Sequence, residues 1–359
     1  MTLQDIALIR LYNHQILKSK INTVKDIVGW MGAMQAQDYA MSKWAIGARL
    51  LHSTEKSIDS AIEKGEIIRT HVLRPTWHFV SPDDIYWMLE LTAPRIKVSM
   101  RTRDRDMGLT ESIFEKSNAI IQNLLKGGKH LSKEAIVLEL NNASIETDNY
   151  KDAHILMHAE LDGLICSRET SRSKRAYTLL NEIAPKIKTF SKEDALALLA
   201  KKYFTSHGPA TLQDFVWWSG LSVGESRQAL EMIQPTLCSE TIENQTYWFK
   251  EITFTPEFDK DVIHVLPAFD EFLISYKDRS ASLILKDFNK VISSNGIFRP
   301  FLILNGQVIG IWRRVTKKDK IIIETIPLIS FKAETKKMIE EAFQNFERFS
   351  TKKIEIIHK

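Results

Sequence analysis

The sequence predicts an α+β protein: three successive helix-plus-hairpin modules, then a C-terminal domain of short strands. Three observations predict it. First, Thr23-x-x-Asp26-x-x-x-Trp30-x-Gly32 recurs at identical spacing as Thr211-x-x-Asp214-x-x-x-Trp218-x-Gly220. Thr is a helix N-cap, Asp at N3 can reach back to the cap N–H, and Gly supplies the left-handed backbone of a tight turn. Each copy reads as the opening of a helix-turn-helix. Second, β-rich segments follow the helices of each module, the pattern of a winged helix. Third, short strands dominate from about residue 252, and Asn305-Gly306 between two apolar runs is a strong hairpin turn.

The elements follow in order. Residues 3–17 form an amphipathic helix, 23–34 carry the first motif, and 56–64 give a short helix. The segment 67–80 is a hairpin turning near Arg74-Pro75. Ser81-Pro82-Asp83-Asp84 starts a connecting helix through about Met100. Arg101 to Asp106 alternates in sign and reads as a solvated helix end. The first module with its connecting helix is thus 1–109. The second, 110–187, has helices at 110–125, 132–142 and 150–162. Strands at 164–168 and 176–180 then flank a basic tip, Arg172, Lys174 and Arg175. The third, 188–251, has a helix at 191–204, the second motif, a helix at 224–233 and strands near 236–250. The last domain, 252–359, has strands at 261–266, 281–286, 301–304, 307–313, 320–326 and 353–357, and a helix at 333–348. It reads as a small β-barrel or a curled sheet with one helix.

Composition bounds the function. A chain of 359 residues holds two to four domains, each with its own core. No apolar run is long enough to span a membrane, and no signal-peptide pattern opens the chain, so a cytoplasmic protein is expected. Cys166 and Cys238 make neither a disulfide framework nor a zinc site. A net charge of +4 permits nucleic-acid binding without requiring it. Repeated helix-turn-helix units point to double-stranded DNA, and three modules in one chain reduce the need for a dimer, so a monomer is expected.

The motif copies diverge after the glycine. The second continues with an ordinary helix start, Val223 and Glu225, where the first has Gln35 and Gln37. Glutamine has no useful pKa, but its amide both donates and accepts, and so can hold a water. On a helix, residues two apart point away from each other; in an extended segment they share a face. A paired-Gln site therefore requires that the helix end at Gly32 or soon after. From spacing alone, two solvated polar residues are the simpler reading. His154-x-x-x-His158 has helical metal-ligand spacing but no third ligand, so core or surface histidines are expected. Asp270-Glu271 is the rival catalytic pair, although neighbours on a strand face opposite ways; a structural role, with pairing to Arg279, is expected.

Several ordered segments carry a family resemblance. They are Met31-Gly-Ala-Met-Gln35-Ala-Gln37, Leu73-Arg-Pro-Thr-Trp-His78, Gly208-Pro-Ala-Thr211 through Gly220, Leu266-Pro-Ala-Phe-Asp-Glu271 through Arg279, and Asn305-Gly-Gln-Val-Ile-Gly-Ile-Trp312. End to end, the chain resembles the AlkZ/AlkX (YcaQ-like) winged-helix DNA glycosylases. The resemblance implies three winged helices and a C-terminal β-barrel. It implies a Gln-x-Gln catalytic motif, matched by Gln35 and Gln37; Asp38 falls one position too late for the Gln-x-Asp form of another branch. It further implies monofunctional hydrolysis of alkylated, N7-alkylguanine-type purines without metal or other cofactor. Bulky or crosslinked adducts are included, without full base flipping.

Arg69 and Arg74 beside Trp77 and His78, Arg168 with the basic tip, and Lys277, Arg279, Arg313 and Arg314 are the expected DNA contacts. Trp77 is more often core than wedge. The alternatives are a winged-helix transcriptional regulator, in which the Gln pair has no chemical role, and a protein-interaction module.

Overall fold

Both motif glycines stop a helix in the computed structural model, which describes residues 1–168, 176–186, 188–251 and 261–359. The chain opens with α1 (Leu3–Asn13), α2 (Val24–Met31), β1 (Ala33–Gln35), α3 (Tyr39–Gly47), α4 (Glu55–Glu63), β2 (Ile68–His71), β3 (Trp77–Val80) and α5 (Ile85–Asp106). Then come α6 (Glu111–Leu125), β4 (Leu131–Ser132), α7 (Lys133–Asn142), α8 (Lys151–Leu161), β5 (Ile165–Ser167), β6 (Ala176–Leu179) and α9 (Leu180–Ile183). The third region has α10 (Lys192–Ser206), α11 (Leu212–Ser219), α12 (Val223–Ile233), β7 (Cys238–Ile242) and β8 (Gln245–Phe249). The last has β9 (Ile263–Leu266), α13 (Glu271–Ile274), α14 (Phe288–Val291), β10 (Phe301–Leu304), β11 (Gln307–Thr316), β12 (Lys320–Pro327), α15 (Ala333–Ser350) and β13 (Lys353–His358).

The second motif is a helix-turn-helix. Thr211 and Asp214 close a capping box on α11, Gly220 takes φ +69°, and Ser222 with Glu225 forms a second capping box that starts α12. The first motif is a helix followed by a strand. Thr23 caps α2, Gly32 takes φ +77°, and the chain then extends as β1, so the expected helix to Met34 ends at Met31. Asp38 caps α3, a helix that sequence reasoning missed. The motif copies pack on each other. A Cβ at Gly32 would meet Trp218 at 3.5 Å, and one at Gly220 would come within 2.3 Å of the Leu73 carbonyl oxygen.

Other boundaries shift for local reasons. Helix α1 stops at Asn13 because Gln15 takes φ +59°. Helix α5 starts at Ile85 rather than Pro82 and runs past Met100 to Asp106. Its last turns are not all solvated: Asp104 is buried, bonded to His154 Nδ1 at 2.6 Å and His158 Nε2 at 2.9 Å. The segment 281–286 is not a strand. The Arg279 carbonyl accepts from the N–H groups of Ser282 and Leu283 and curls it into a turn.

The sheets cross the expected domain boundaries. Strands of the first two regions form one sheet, in the order β1-β3-β2-β5-β6-β4, joined where Arg69 pairs with Ser167. Of the two forms expected for the last domain, the sheet is the one found: five strands in the order β13-β12-β11-β10-β9, open at each edge. It shares an apolar cluster with the N-terminal region: Ile27, Met31, Met34 and Trp44 pack with Val265, Leu302, Trp312 and Phe343. The Trp44 indole N–H donates to the Val265 carbonyl at 3.0 Å. Among the described residues no helix is long and apolar enough to cross a membrane.

The Gly220 contact yields a prediction. Gly220→Ala places a Cβ in a left-handed backbone and against the Leu73 carbonyl, and should cost about 3 kcal/mol. Urea unfolding checks it; an unchanged midpoint would show that the turn does not press on α11.

Candidate active site

Strand β1 is the edge of the six-stranded sheet and pairs with β3, Gln35 opposite His78. The extended chain continues through Ala36, whose N–H donates to the Trp77 carbonyl at 2.7 Å. Gln35 ends β1, and Gln37 lies two residues on, in the bend before α3. Gln35 is buried and Gln37 is exposed. Their side-chain carbonyls meet consecutive residues of β3 and its turn. The Thr76 hydroxyl donates to Gln35 Oε1 and the Trp77 N–H to Gln37 Oε1, each at 3.3 Å. Both contacts are long, and each carbonyl keeps a second lone pair for water.

The backbone between the two glutamines is clamped. Arg69 Nε and Nη2 donate to the Ala36 carbonyl at 3.2 and 2.9 Å, and the Arg69 guanidinium lies 4.1 Å from the centre of the Trp77 ring. The Gln35 N–H donates to Glu271 Oε1 at 2.5 Å. Glu271 is fully buried at the start of α13, and its Oε2 accepts from the Ser275 hydroxyl. Burial opposes its ionisation. His207, 3.8 Å away, with Ser275 and the Gln35 N–H, outweighs burial and holds the carboxyl at about 2. Asp270 caps α13 and forms a two-pronged, fully buried ion pair with Arg49, both oxygens at 2.8 Å.

The expected residues separate into two groups. Arg69 and His78 are buried, not presented to solvent. Arg69 is spent on Ala36, and His78 accepts no charge, because burial first, and then Arg74, pushes it down to about 3. Trp77 is partly buried between His71 and Tyr177, a packing residue rather than a free wedge. Arg168 bonds the Glu63 carbonyl. Arg172, Lys174 and Arg175 lie outside the described residues. Lys277 and Arg313 are exposed, and Arg74, Arg279 and Arg314 half-buried. Arg279 bonds the Leu273 carbonyl at 2.9 Å rather than Asp270 or Glu271.

Sequence reasoning missed Arg49, His207 and Trp217. It left Glu271 as a rival to the glutamines, whereas the carboxylate supports Gln35. The only signal for Glu271 was its place in an ordered motif; which backbone it meets depends on tertiary placement.

The chain's fold is that of a DNA glycosylase. It superposes on the solved structure of Streptomyces sahachiroi DNA glycosylase AlkZ with a TM-score of 0.83, at 18% identity, covering 99% of this chain and 100% of that one. A curated relative, the interstrand DNA cross-link repair glycosylase of the same organism, is 20% identical over 311 residues, covering 82% of this chain and 83% of the relative. The family model described as DNA glycosylase AlkZ-like matches residues 28–349, and the chain belongs to that family.

Two pH windows follow from the site. His78 is held far below its ordinary value of 6.5, so its contribution to stability is complete above that pH and falls as pH drops toward about 3. Glu271 is held below its ordinary 4.5, so its contribution is lost between about pH 4.5 and about 2. Unfolding free energy measured against pH should lose about one proton of slope in the upper window for His78→Gln, and in the lower window for Glu271→Gln. Parallel curves for variant and wild type would refute the assignment.

Proposed function

We propose that this protein is a monofunctional glycosylase that hydrolyses the N-glycosidic bond of N7-alkylguanine-type purines in double-stranded DNA, acting as a monomer. The observation that carries the reading is the Gln pair on a clamped segment, with both side-chain carbonyls bonded to the adjacent residues Thr76 and Trp77. Alkylation at N7 places positive charge on the base, so the base leaves with little acid catalysis. What remains is to hold a water against C1′ and to stabilise an electron-poor sugar. Gln37, at the surface, orients the water and Gln35 supports it from behind. As the C1′–N9 bond breaks, its electron pair neutralises the base. Water oxygen bonds C1′ and releases its proton to solvent. The amide carbonyl dipoles face the positive sugar.

Attack by water, rather than by an amine, fits the surroundings. The lysine closest in sequence to the pair, Lys43, is buried against Asp59 and Glu55. Bulky or crosslinked adducts fall within the proposed range, because the curated relative is named for interstrand crosslinks. The helix-turn-helix of α11 and α12 and the β2–β3 and β5–β6 hairpins are assigned as winged-helix DNA-binding units. Lys277, Arg279, Arg313 and Arg314 are proposed phosphate contacts, together with Arg168, Arg172, Lys174 and Arg175. A regulator that only reads sequence leaves the three-sided clamp on residues 35–37 without a purpose.

Single-turnover release of N7-methylguanine from a duplex tests the reading. Gln37→Ala should slow it by about 100-fold or more, and Gln35→Ala should also slow it, because misplacing the attacking water costs about that much. Unchanged release by Gln37→Ala would sink the assignment.

A further inference from the structure

Trp217, exposed over 36% of its surface, is fixed in plane by its indole N–H, which donates to the Ile274 carbonyl at 2.8 Å. Three cations from two distant loops gather on its ring. Lys277 Nζ lies 5.3 Å from the ring centroid, the Arg279 guanidinium 5.4 Å and the Arg74 guanidinium 5.9 Å. The electron-rich face of an indole is what lets like charges collect there. Among the described residues none of the three has a carboxylate within ion-pair distance. Arg74 is the extreme case. Its Nε and Nη2 are buried with no hydrogen-bond partner, although a guanidinium carries five donors. An unpaired buried charge is costly, and Glu271 acts on this one only from beyond ion-pair distance.

Arg74 is also tied to the glutamines. It sits in the β2–β3 turn, where Leu73 takes φ +63°, the Arg74 N–H donates to Val72 and the Thr76 N–H donates to Arg74. That turn ends in Thr76 and Trp77, the donors to Gln35 Oε1 and Gln37 Oε1. We propose that Arg74, Lys277 and Arg279, gathered on Trp217, bind one backbone phosphate of duplex DNA beside the lesion, and that this phosphate sets the turn that holds Gln35 and Gln37. The second half rests on the reading of the Gln pair as the reacting centre. Trp217 is a positioning residue in this scheme. It concentrates the cations and touches no reacting atom.

The test uses the full chain and duplexes with one N7-methylguanine and a single neutral methylphosphonate walked along both strands. At one position near the lesion, the neutral group should weaken wild-type binding about tenfold, the value of one charge-assisted contact. In Arg74→Gln the same neutral group should change nothing further, and Arg74→Lys should recover part of the loss. Lys277→Gln, an exposed change that spares the fold, should reduce the salt dependence of binding by about one phosphate. Equal methylphosphonate effects in wild type and Arg74→Gln at every position would overturn the phosphate site. Weakened binding by Arg74→Gln with unchanged release at saturating DNA would overturn the coupling to the turn. If the wild type releases no base, the glycosylase reading fails, while the affinity measurements still decide the phosphate site.

Discussion

One hydrogen bond, from the Gln35 N–H to the buried carboxylate of Glu271, ties the first quarter of the chain to the last. A carboxylate in an apolar interior survives as an anion only when its lone pairs are filled. Glu271 accepts from a backbone N–H and a serine hydroxyl, lies 3.8 Å from the His207 imidazole, and is held ionised. Its place depends in turn on α13, whose N-cap Asp270 is locked by Arg49 from the end of α3. So the route from Arg49 to Asp270, to Glu271, to Gln35 is one chain of charged and polar contacts inside a shared core. Remove the C-terminal sheet and β1 loses the anion that fixes its end. That is why the region expected to be a separate domain cannot be treated as an appendage.

The motif duplication acquires a physical meaning in the same frame. Asp214, the second copy's aspartate, is fully buried and holds the N–H groups of Lys277 and Asp278 as well as its own cap. Its counterpart Asp26 is exposed and serves only the cap. One copy therefore positions a basic loop, and the other, freed from a second helix, extends into β1 and presents the glutamines. Both glycines take the positive φ that stops the helix, and Gly220 also lets the β2–β3 turn approach.

Local signals carried much of this. Capping residues placed α2 and α11, and Asn305-Gly306 placed the β10–β11 hairpin. The condition for the Gln pair, an early helix stop, was also readable from Gly32. What the sequence could not express was which polar residues turn inward. Arg69 and His78 alternate along a strand pair as surface residues do, but both faces of this sheet are covered, so each ends up buried. Nor does any local pattern reveal that two hairpins merge through Arg69 and Ser167, or that Glu271 meets a backbone N–H more than two hundred positions away.

Charge balance around the glutamines gives the site its direction. His78 is kept low by burial, so its imidazole contributes little positive charge at neutral pH. Glu271 is the anion on the Gln35 N–H and Arg69 the cation on the Ala36 carbonyl; Arg74 is a second cation, pushed below its ordinary value by burial and raised by Glu271. On the proposed reading, a positive sugar forms beside Gln35 and Gln37. An unpaired guanidinium there works against that charge, whereas a carboxylate favours it. A phosphate on Arg74 cancels that unfavourable charge, while Arg69 stays bound to the Ala36 carbonyl. Binding of the DNA backbone and stabilisation of the reacting sugar then have the same sign, so the site is electrostatically complete only with the duplex in place.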